Sequence, residues 1–463
     1  MTSLSEPVQT QQDSRAEPEI NESEISQPEI SQPEINQREI VQPEIKDRPA
    51  LRPPPLWRDR DYLSLWTGEA VSSLGTSMST VAYPLLVLFA TGSVARAGIV
   101  TAASMIGTVV TTLWGGVLAD RMSRKAMMVV APLVQAVAIG AVALLVAHGH
   151  TPIVALAAAA GVGGLADGIR DAARYPALRR IVPKEQMAVA SSQIQGRDIT
   201  ARFLGGPIAG VLFAIARWIP FGADAASFLF SSLGAALIRR PLGPDRAADP
   251  AGRSSLRADA REGLNYVAGV PFLRFIAVWT SAVNLIGGAY FLLFIAMLRY
   301  RGAGPETIGV DNSIALIGGI AGALAGPALL RRVSAKVVFL AGGWVGVVGA
   351  VLTAISPKPW EVGCSVFLVM LVLVPLNAIL QSYQVRLVPD HLSGRVGAVV
   401  SFGAQALMWV GPLAAGVLAD AFGPPTAGLI VAAALLPTMG IAHFVKSLDV
   451  LRTPVEEVGE PSC

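Results

Sequence analysis

Charge is scarce in this 463-residue chain: acidic and basic residues together make up 15% of it, against about 25% in a soluble globular protein. A deficit this broad argues against a soluble enzyme. Cysteine is almost absent. Cys364 and Cys463 cannot build a disulfide framework or a cysteine-rich metal site. Histidine is equally thin. His148 and His150 flank Gly149 in a short loop, and two ligands alone make a poor metal centre. No metal or other cofactor is expected. The net charge of +3 gives no basic excess of the kind that nucleic-acid binding requires. No G-x-x-x-x-G-K-[ST] loop is found, so the chain is not itself an ATP-driven pump. The N-terminus lacks a basic stretch followed by an apolar core, so no cleavable secretion signal is visible.

What is present is apolar length. Hydrophobic residues account for 52% of the chain, and the mean hydropathy is +0.54. Twelve apolar runs fall at 62–90, 97–118, 126–147, 152–174, 191–215, 220–238, 275–298, 307–330, 337–356, 361–383, 397–418 and 426–445. Each is near the roughly 20 residues that cross a bilayer as a helix. Helices are expected because a spanning segment must satisfy its own backbone hydrogen bonds. The fold class expected is therefore an all-α membrane protein of twelve transmembrane helices in two six-helix pseudo-symmetric halves. Residues 1–55 stand apart. They hold a five-residue repeat with Glu-Ile pairs from Glu19-Ile20 to Glu44-Ile45. Its recurring prolines prevent a continuous helix, and one isoleucine in five builds no core, so a disordered acidic tail is expected.

Lys and Arg set the orientation. With the N-terminus inside, 25 fall on inner segments and 5 on outer ones, namely Arg96, Arg217, Arg299, Arg301 and Lys358. That bias puts both termini in the cytosol, with the plasma membrane as the location. The chain also repeats itself. Gly206-Pro207-Ile208-Ala209-Gly210 returns as Gly411-Pro412-Leu413-Ala414-Ala415-Gly416, and Ile181-Val182-Pro183 returns as Leu387-Val388-Pro389. The expected organisation is an N-terminal bundle at 56–238, a cytosolic linker at 239–274, a C-terminal bundle at 275–445 and a cytosolic tail at 446–463. Duplicated halves mark secondary transporters, with the substrate site near the midplane between them.

Gly116-Val117-Leu118-Ala119-Asp120-Arg121-Met122-Ser123-Arg124-Lys125 resembles the G-x-L-x-D-R-x-G-R-K signature of the major facilitator superfamily, with Ser123 in place of the second glycine. The resemblance implies a conformational latch between the halves. In it Gly116, Asp120, Arg121, Arg124 and Lys125 take part, Asp120 faces the start of span eleven, and the basic residues pair with Asp167 or Asp171. A second copy, Gly326 to Lys336, has Leu330 where the aspartate would stand. Gly206, Pro207 and Gly210 resemble a shortened exporter signature of the same superfamily; helix packing by small residues explains the pattern equally. Arg180-Ile181-Val182-Pro183, Asp224-Ala225-Ala226-Ser227-Phe228, Arg261 to Val267, and Leu387 to Asp390 with Gly394-Arg395-Val396 resemble the branch containing the enterobactin exporter and macrolide-efflux proteins. The likeness covers about residues 57–445.

Two motifs are set aside. Gly161 to Ala166 matches G-x-G-x-x-A inside an apolar span, with no preceding strand, and reads as close helix packing. Gly-Val-Leu-Ala-Asp recurs at 416–420, but no basic cluster follows it, so it is not read as a second latch.

Ionisable residues within spans are costly and face a cavity or a partner. Glu69, Ser73, Thr76, Thr80 and Tyr83 follow helical spacing as one polar stripe on span one. Asp198 and Arg202, four apart, are expected to neutralise each other, leaving Arg197 to reach Glu69 or Asp167. Asp224 and Asp311 are expected to stabilise the first turns of their helices. Glu69, Asp198 and Arg197 are the candidates for proton coupling. Ser73, Thr76, Tyr83, Trp279, Asn284, Tyr290, Asn377 and Gln381 are the candidates for the substrate path. The reading is proton-coupled efflux of a small amphipathic molecule, such as a drug or siderophore, by a monomer embedded in the lipid bilayer. The partners are the substrate and protons, with no nucleic acid. The alternatives are a nutrient importer of the same fold, a membrane-embedded lipid-modifying enzyme, for which no catalytic cluster is found, and a sensor.

Overall fold

A computed structural model describes residues 55–243 and 256–457, apart from a few side chains within them. The expected tail lies outside the described residues, and the chain divides at Pro53/Pro54 into that segment and the unit discussed below. The unit is built from helices, with no strand among the described residues. In chain order they are α1 Arg60–Thr91, α2 Val94–Arg121, α3 Arg124–Ala147, α4 Ile153–Ile181, α5 Met187–Ile215, α6 Ile219–Leu237, α7 Leu256–Gly269, α8 Pro271–Tyr300, α9 Pro305–Leu330, α10 Ala335–Ile355, α11 Pro359–Leu387, α12 Ser393–Ala406, α13 Val410–Phe422 and α14 Pro424–Phe444.

Among the described residues, eleven spans are long and apolar enough to cross a bilayer, one of them α12 and α13 taken together. The twelfth is α6, whose 19 residues include Asp224 and a run of serines that lower its hydropathy. It packs between α1 and α3. Short turns join the spans alternately at two ends. The near end is where the chain enters at Leu56. The far end carries the turns at Gly92, Gly149, Gly302 and Gly423, each with positive φ, a backbone region that glycine alone enters freely.

Small residues set the closest helix approaches. A Cβ on Gly107 would lie 2.4 Å from Gly161 O, and one on Gly164 would lie 2.0 Å from Ser104 O. The G-x-G-x-x-A match therefore packs α4 on α2, as expected of it. Similar contacts seat Gly68 of α1 on Ser231 and Gly234 of α6.

Two proline sites treat the same problem differently. A proline inside a helix has no N–H for the carbonyl four residues back. In α5, which continues through Pro207, the proline frees Phe203 O, and Ser313 Oγ of α9 donates to it at 2.6 Å. In span eleven, Pro412 frees Met408 O. There the chain breaks at Leu407–Trp409 into α12 and α13, and Gly411 N–H donates to Met408 O at 3.3 Å in a tighter turn. The single span expected at 397–418 is thus two helices.

Three expected boundaries change. The linker at 239–274 contains α7, which packs on α12, and α8 starts at Pro271, ahead of the expected 275. The segment after 445 is not a free tail over its first part. Leu448 and Leu451 are fully buried against the C-terminal half, and Tyr383 Oη donates to Thr453 O at 2.6 Å. Lys336 Nζ reaches Asp449 at 2.8 Å and holds that carboxyl below the usual carboxylate range.

Candidate functional site

The site grows from α1, α4 and α5, whose sequences bring charge into apolar spans. On α4 the run Asp167-x-x-Arg170-Asp171-x-x-Arg174 uses spacings of three and four, which stack side chains along one face of a helix. Arg170 is buried. It donates to Asp167 Oδ1 at 2.6 Å and to Ser72 Oγ of α1 at 2.8 Å. Arg174 is shared: its guanidinium lies 3.0 Å from Asp198 Oδ2 of α5 and 3.8 Å from Glu69 Oε2 of α1. Glu69 is 3% exposed, and Ser231 Oγ approaches its other oxygen at 3.5 Å. Arg197 closes the network on Asp198 Oδ1 at 2.8 Å, and Ser73 Oγ donates to the same atom at 3.2 Å.

Several expectations are corrected. Asp198 pairs with Arg174 and Arg197 rather than with Arg202, which lines a cavity instead. A long guanidinium can fold back to the next residue, and a cation from a neighbouring helix competes with a partner four residues on. Arg197 therefore does not reach out to Glu69 or Asp167 as its nearest partner. Lys125 does not pair with Asp167 or Asp171; its Nζ donates to Ile238 O at 2.7 Å. Asp167 lies midway along α4, bonded to Arg170, rather than at the helix end. Asp224 is fully buried in the second turn of α6, accepting from Ser79 Oγ at 2.5 Å and Ser227 Oγ at 3.1 Å. It ties α6 to α1 and does not cap its own helix. Asp311 is likewise buried, on the seventh residue of α9. Side chains of Gly116, Asp120 and Arg121 lie outside the described residues.

The stripe on α1 divides by depth. Glu69 and Ser73 belong to the ion network, whereas Thr76, Thr80 and Tyr83 line a cavity of about 480 Å³ with Gln135, Asp167, Arg202 and Asp224. A second cavity of about 250 Å³ lies in the C-terminal half, walled by Trp279, Asn284, Tyr290, Asn377 and many aliphatic residues. Gly287 and Phe291 of α8 line both. A third, of about 510 Å³, holds Asn284, Asn377, Gln381 and Gln384, so polar residues of α8 and α11 meet there. Tyr290 Oη bonds Thr353 Oγ1 at 2.6 Å, and Asn284 donates to Ala404 O at 3.0 Å. Thr76 Oγ1, Tyr83 Oη and Trp279 Nε1 are buried with no partner among the described residues. Gln135 Oε1 in the 480 Å³ cavity is in the same position. Buried polar atoms normally find a partner, so these are atoms a guest could satisfy.

The close contacts between halves gather at the far end. A Cβ on Gly206 would meet Gly309 O at 2.8 Å, and one on Gly210 would meet Pro305 O at 2.4 Å. The Gly206, Pro207 and Gly210 motif thus packs α5 on α9 across the two halves.

Two six-helix halves around internal cavities, with paired charges buried within apolar spans, define a secondary transporter. Residues 65–412 match the Major Facilitator Superfamily, and the chain belongs to that family; it is a transporter and not an enzyme. It is 27% identical over 400 residues to the multidrug efflux pump Tap of Mycolicibacterium fortuitum, covering 82% of this chain and 95% of that one. It is 28% identical over 417 residues to the pump of the same name from Mycobacterium tuberculosis, covering 84% and 95%. Among solved structures, the nucleoside transporter NupG superposes with a TM-score of 0.65 at 16% identity, covering 83% of this chain and 98% of that one. A bacterial homologue of the iron transporter ferroportin in its inward-facing state gives 0.65 at 17% identity, covering 83% and 98%.

Arg170 and Arg174 are the functional residues that sequence reasoning missed. Their signal was the regular acid–base spacing along α4. Ending span four at 174 placed Arg174 in a loop and left Arg170 unconsidered.

Proposed function

We propose that this chain exports small amphipathic molecules across the plasma membrane in exchange for protons, as a monomer, with its near end and both termini in the cytosol. The near-end excess of Lys and Arg supports that orientation, and relatives named multidrug efflux pumps support the direction of transport. One observation carries the proton coupling: Arg174 is shared by Glu69 and Asp198. A proton on Glu69 removes its claim on Arg174, which then belongs to Asp198 alone. Loss of the proton draws Arg174 back. Because the three residues sit on α4, α1 and α5, each proton event changes what holds those helices together. Exchange is driven when Glu69 takes its proton from the outer side and releases it to the cytosol.

The cavity walls point to the cargo class. The C-terminal cavity is walled mainly by apolar and aromatic residues around the unpartnered Trp279 Nε1, and the 480 Å³ cavity adds Thr76, Tyr83, Gln135, Asp167, Arg202 and Asp224 to an otherwise apolar wall. Such a wall suits a large apolar body with a few polar groups better than a sugar or a small ion. Gly116, Asp120, Arg121, Arg124 and Lys125 would form the near-end latch that their family resemblance implies. The test is a compound screen in cells lacking their main efflux systems, with and without a protonophore. Export predicts reduced accumulation that the protonophore restores. Increased accumulation on expression would make the chain an importer.

A further inference from the structure

The pentapeptide Gly-Val-Leu-Ala-Asp occurs twice, at 116–120 on α2 and at 416–420 on α13. The second copy sits at the far end and makes contacts that its sequence did not announce. Asp420 accepts from Val94 N–H at 2.7 Å, from Ala95 N–H at 3.3 Å and from Ser93 Oγ at 2.5 Å. Those donors open α2, which belongs to the other half. The first N–H groups of a helix have no partner within it, and a carboxylate there also meets the positive end of the helix dipole. Asp420 thus caps a helix some 325 residues away in sequence.

The backbone contact beneath it is equally close. A Cβ on Gly416 would lie 2.6 Å from Ala95 Cα, and one on Gly98 would lie 2.4 Å from Pro412 O. So Gly416 lets α13 approach α2, and Asp420, one turn further on, fastens it there.

We propose that Asp420 is a positioning residue for transport: with Gly416 it forms a far-end clasp that fastens α13 of the C-terminal half onto the N-terminus of α2, holds the far end closed, and must release for cargo to leave. The proposal uses only the alternating-access part of the function given above, and neither proton coupling nor cargo identity enters it. Asp420 itself is exposed, so the clasp can open without unfolding either helix.

The test reads which end of the cavity is open. Cys364 and Cys463 are replaced by serine, and Thr80→Cys places a single thiol in the 480 Å³ cavity. A membrane-impermeant thiol reagent is then applied from either side, in cells and in inverted vesicles. The reference protein should label faster from the near side. Asp420→Ala should raise the far-side rate about five- to tenfold, the lower range of allosteric couplings, with a matching fall on the near side. Asp420→Asn keeps one of the two accepting oxygens but loses the charge, and should fall between the reference and the Ala variant, since Asn still caps a helix start. Equal abundance of the variants, checked by blot, separates a shift in state from a loss of protein. Unchanged sidedness in Asp420→Ala overturns the clasp, and so does an Asn variant that labels as fast as the Ala variant. A reference thiol that is not reached from the near side refutes alternating access through this cavity, and the clasp falls with it.

Discussion

Replacing Glu69 with glutamine tests the coupling with a change of one charge and almost no change of shape. Glu69 Oε2 stands 3.8 Å from Arg174 Nε, with the two side chains 4% and 18% exposed. At an effective dielectric of about 20, a pair at that distance attracts by about 4 kcal/mol, and desolvation of the two groups offsets part of it. Either way, the energy at stake is comparable with the drive available. One proton moving through 100 mV supplies about 2.3 kcal/mol, which sustains a concentration ratio of about 50 for one cargo molecule per proton. Glu69→Gln cannot exchange a proton, so this ratio should collapse towards one. Flux down a gradient should persist, because the cavity is intact.

The assay is cargo uptake into inverted vesicles under an imposed pH gradient, compared with uptake under a cargo gradient alone. Glu69→Asp should give an intermediate ratio, since it keeps the charge but is one methylene shorter. Arg174→Lys should also be intermediate. A single ammonium cannot span two acids as a guanidinium fork does. If Glu69→Gln still accumulates cargo uphill and a protonophore still abolishes it, the proton is carried elsewhere. Asp224 would then be examined first, because it accepts from two hydroxyls, those of Ser79 and Ser227, and it lines the cavity directly.

Deleting residues 1–50 should leave transport per molecule unchanged, as measured at matched surface abundance; a loss would assign the pentad repeat a role. Asp120→Asn should loosen the near-end latch, so transport falls while cargo binding from the near side persists, read by cysteine cross-linking across the near ends of the halves. Ser313→Ala should strand Phe203 O, which Pro207 already deprives of its helical donor; an unmet buried carbonyl costs about 1–3 kcal/mol, visible as a lower melting temperature in detergent.

The fold was legible because bilayer thickness sets span length and the duplication marks the halves. The twelve runs named from hydropathy correspond to α1–α6, α8–α11, the α12–α13 pair and α14. Features set by contacts across helices were not legible. Pro207 and Pro412 occupy equivalent repeats, but one helix continues and the other breaks. In α5 the freed carbonyl meets Ser313, a residue more than a hundred positions away. Likewise Glu69, Arg197 and Asp198 were visible one by one, while Arg170, Arg174 and the pairing of the charges were not. Arg202 sits at the favourable spacing from Asp198 yet loses it to Arg174, because α4 packs its basic face towards the point where α1 and α5 meet.

The same reasoning explains why the second Gly-Val-Leu-Ala-Asp was set aside from sequence. Judged by its own neighbours, it lacks the basic cluster that follows the first copy. Its partner is instead a row of backbone N–H groups, which every helix start offers and no residue pattern advertises. Helix α2 and span eleven run antiparallel to each other, so the far end of α13 faces the start of α2. The near end of α2, carrying Asp120, then faces the start of span eleven in any state that brings the near ends together. One pentapeptide placed at the end of each helix can therefore fasten whichever end of the pair is closed. The two aspartates would compete, since a transporter that closed both ends firmly could not turn over. Weakening Asp420 should favour the state that Asp120 holds, and weakening Asp120 the reverse. Combining Asp120→Asn with Asp420→Ala should bring the Thr80→Cys labelling ratio back towards the reference value, whereas two structurally unrelated lesions would leave the far-side excess of Asp420→Ala in place.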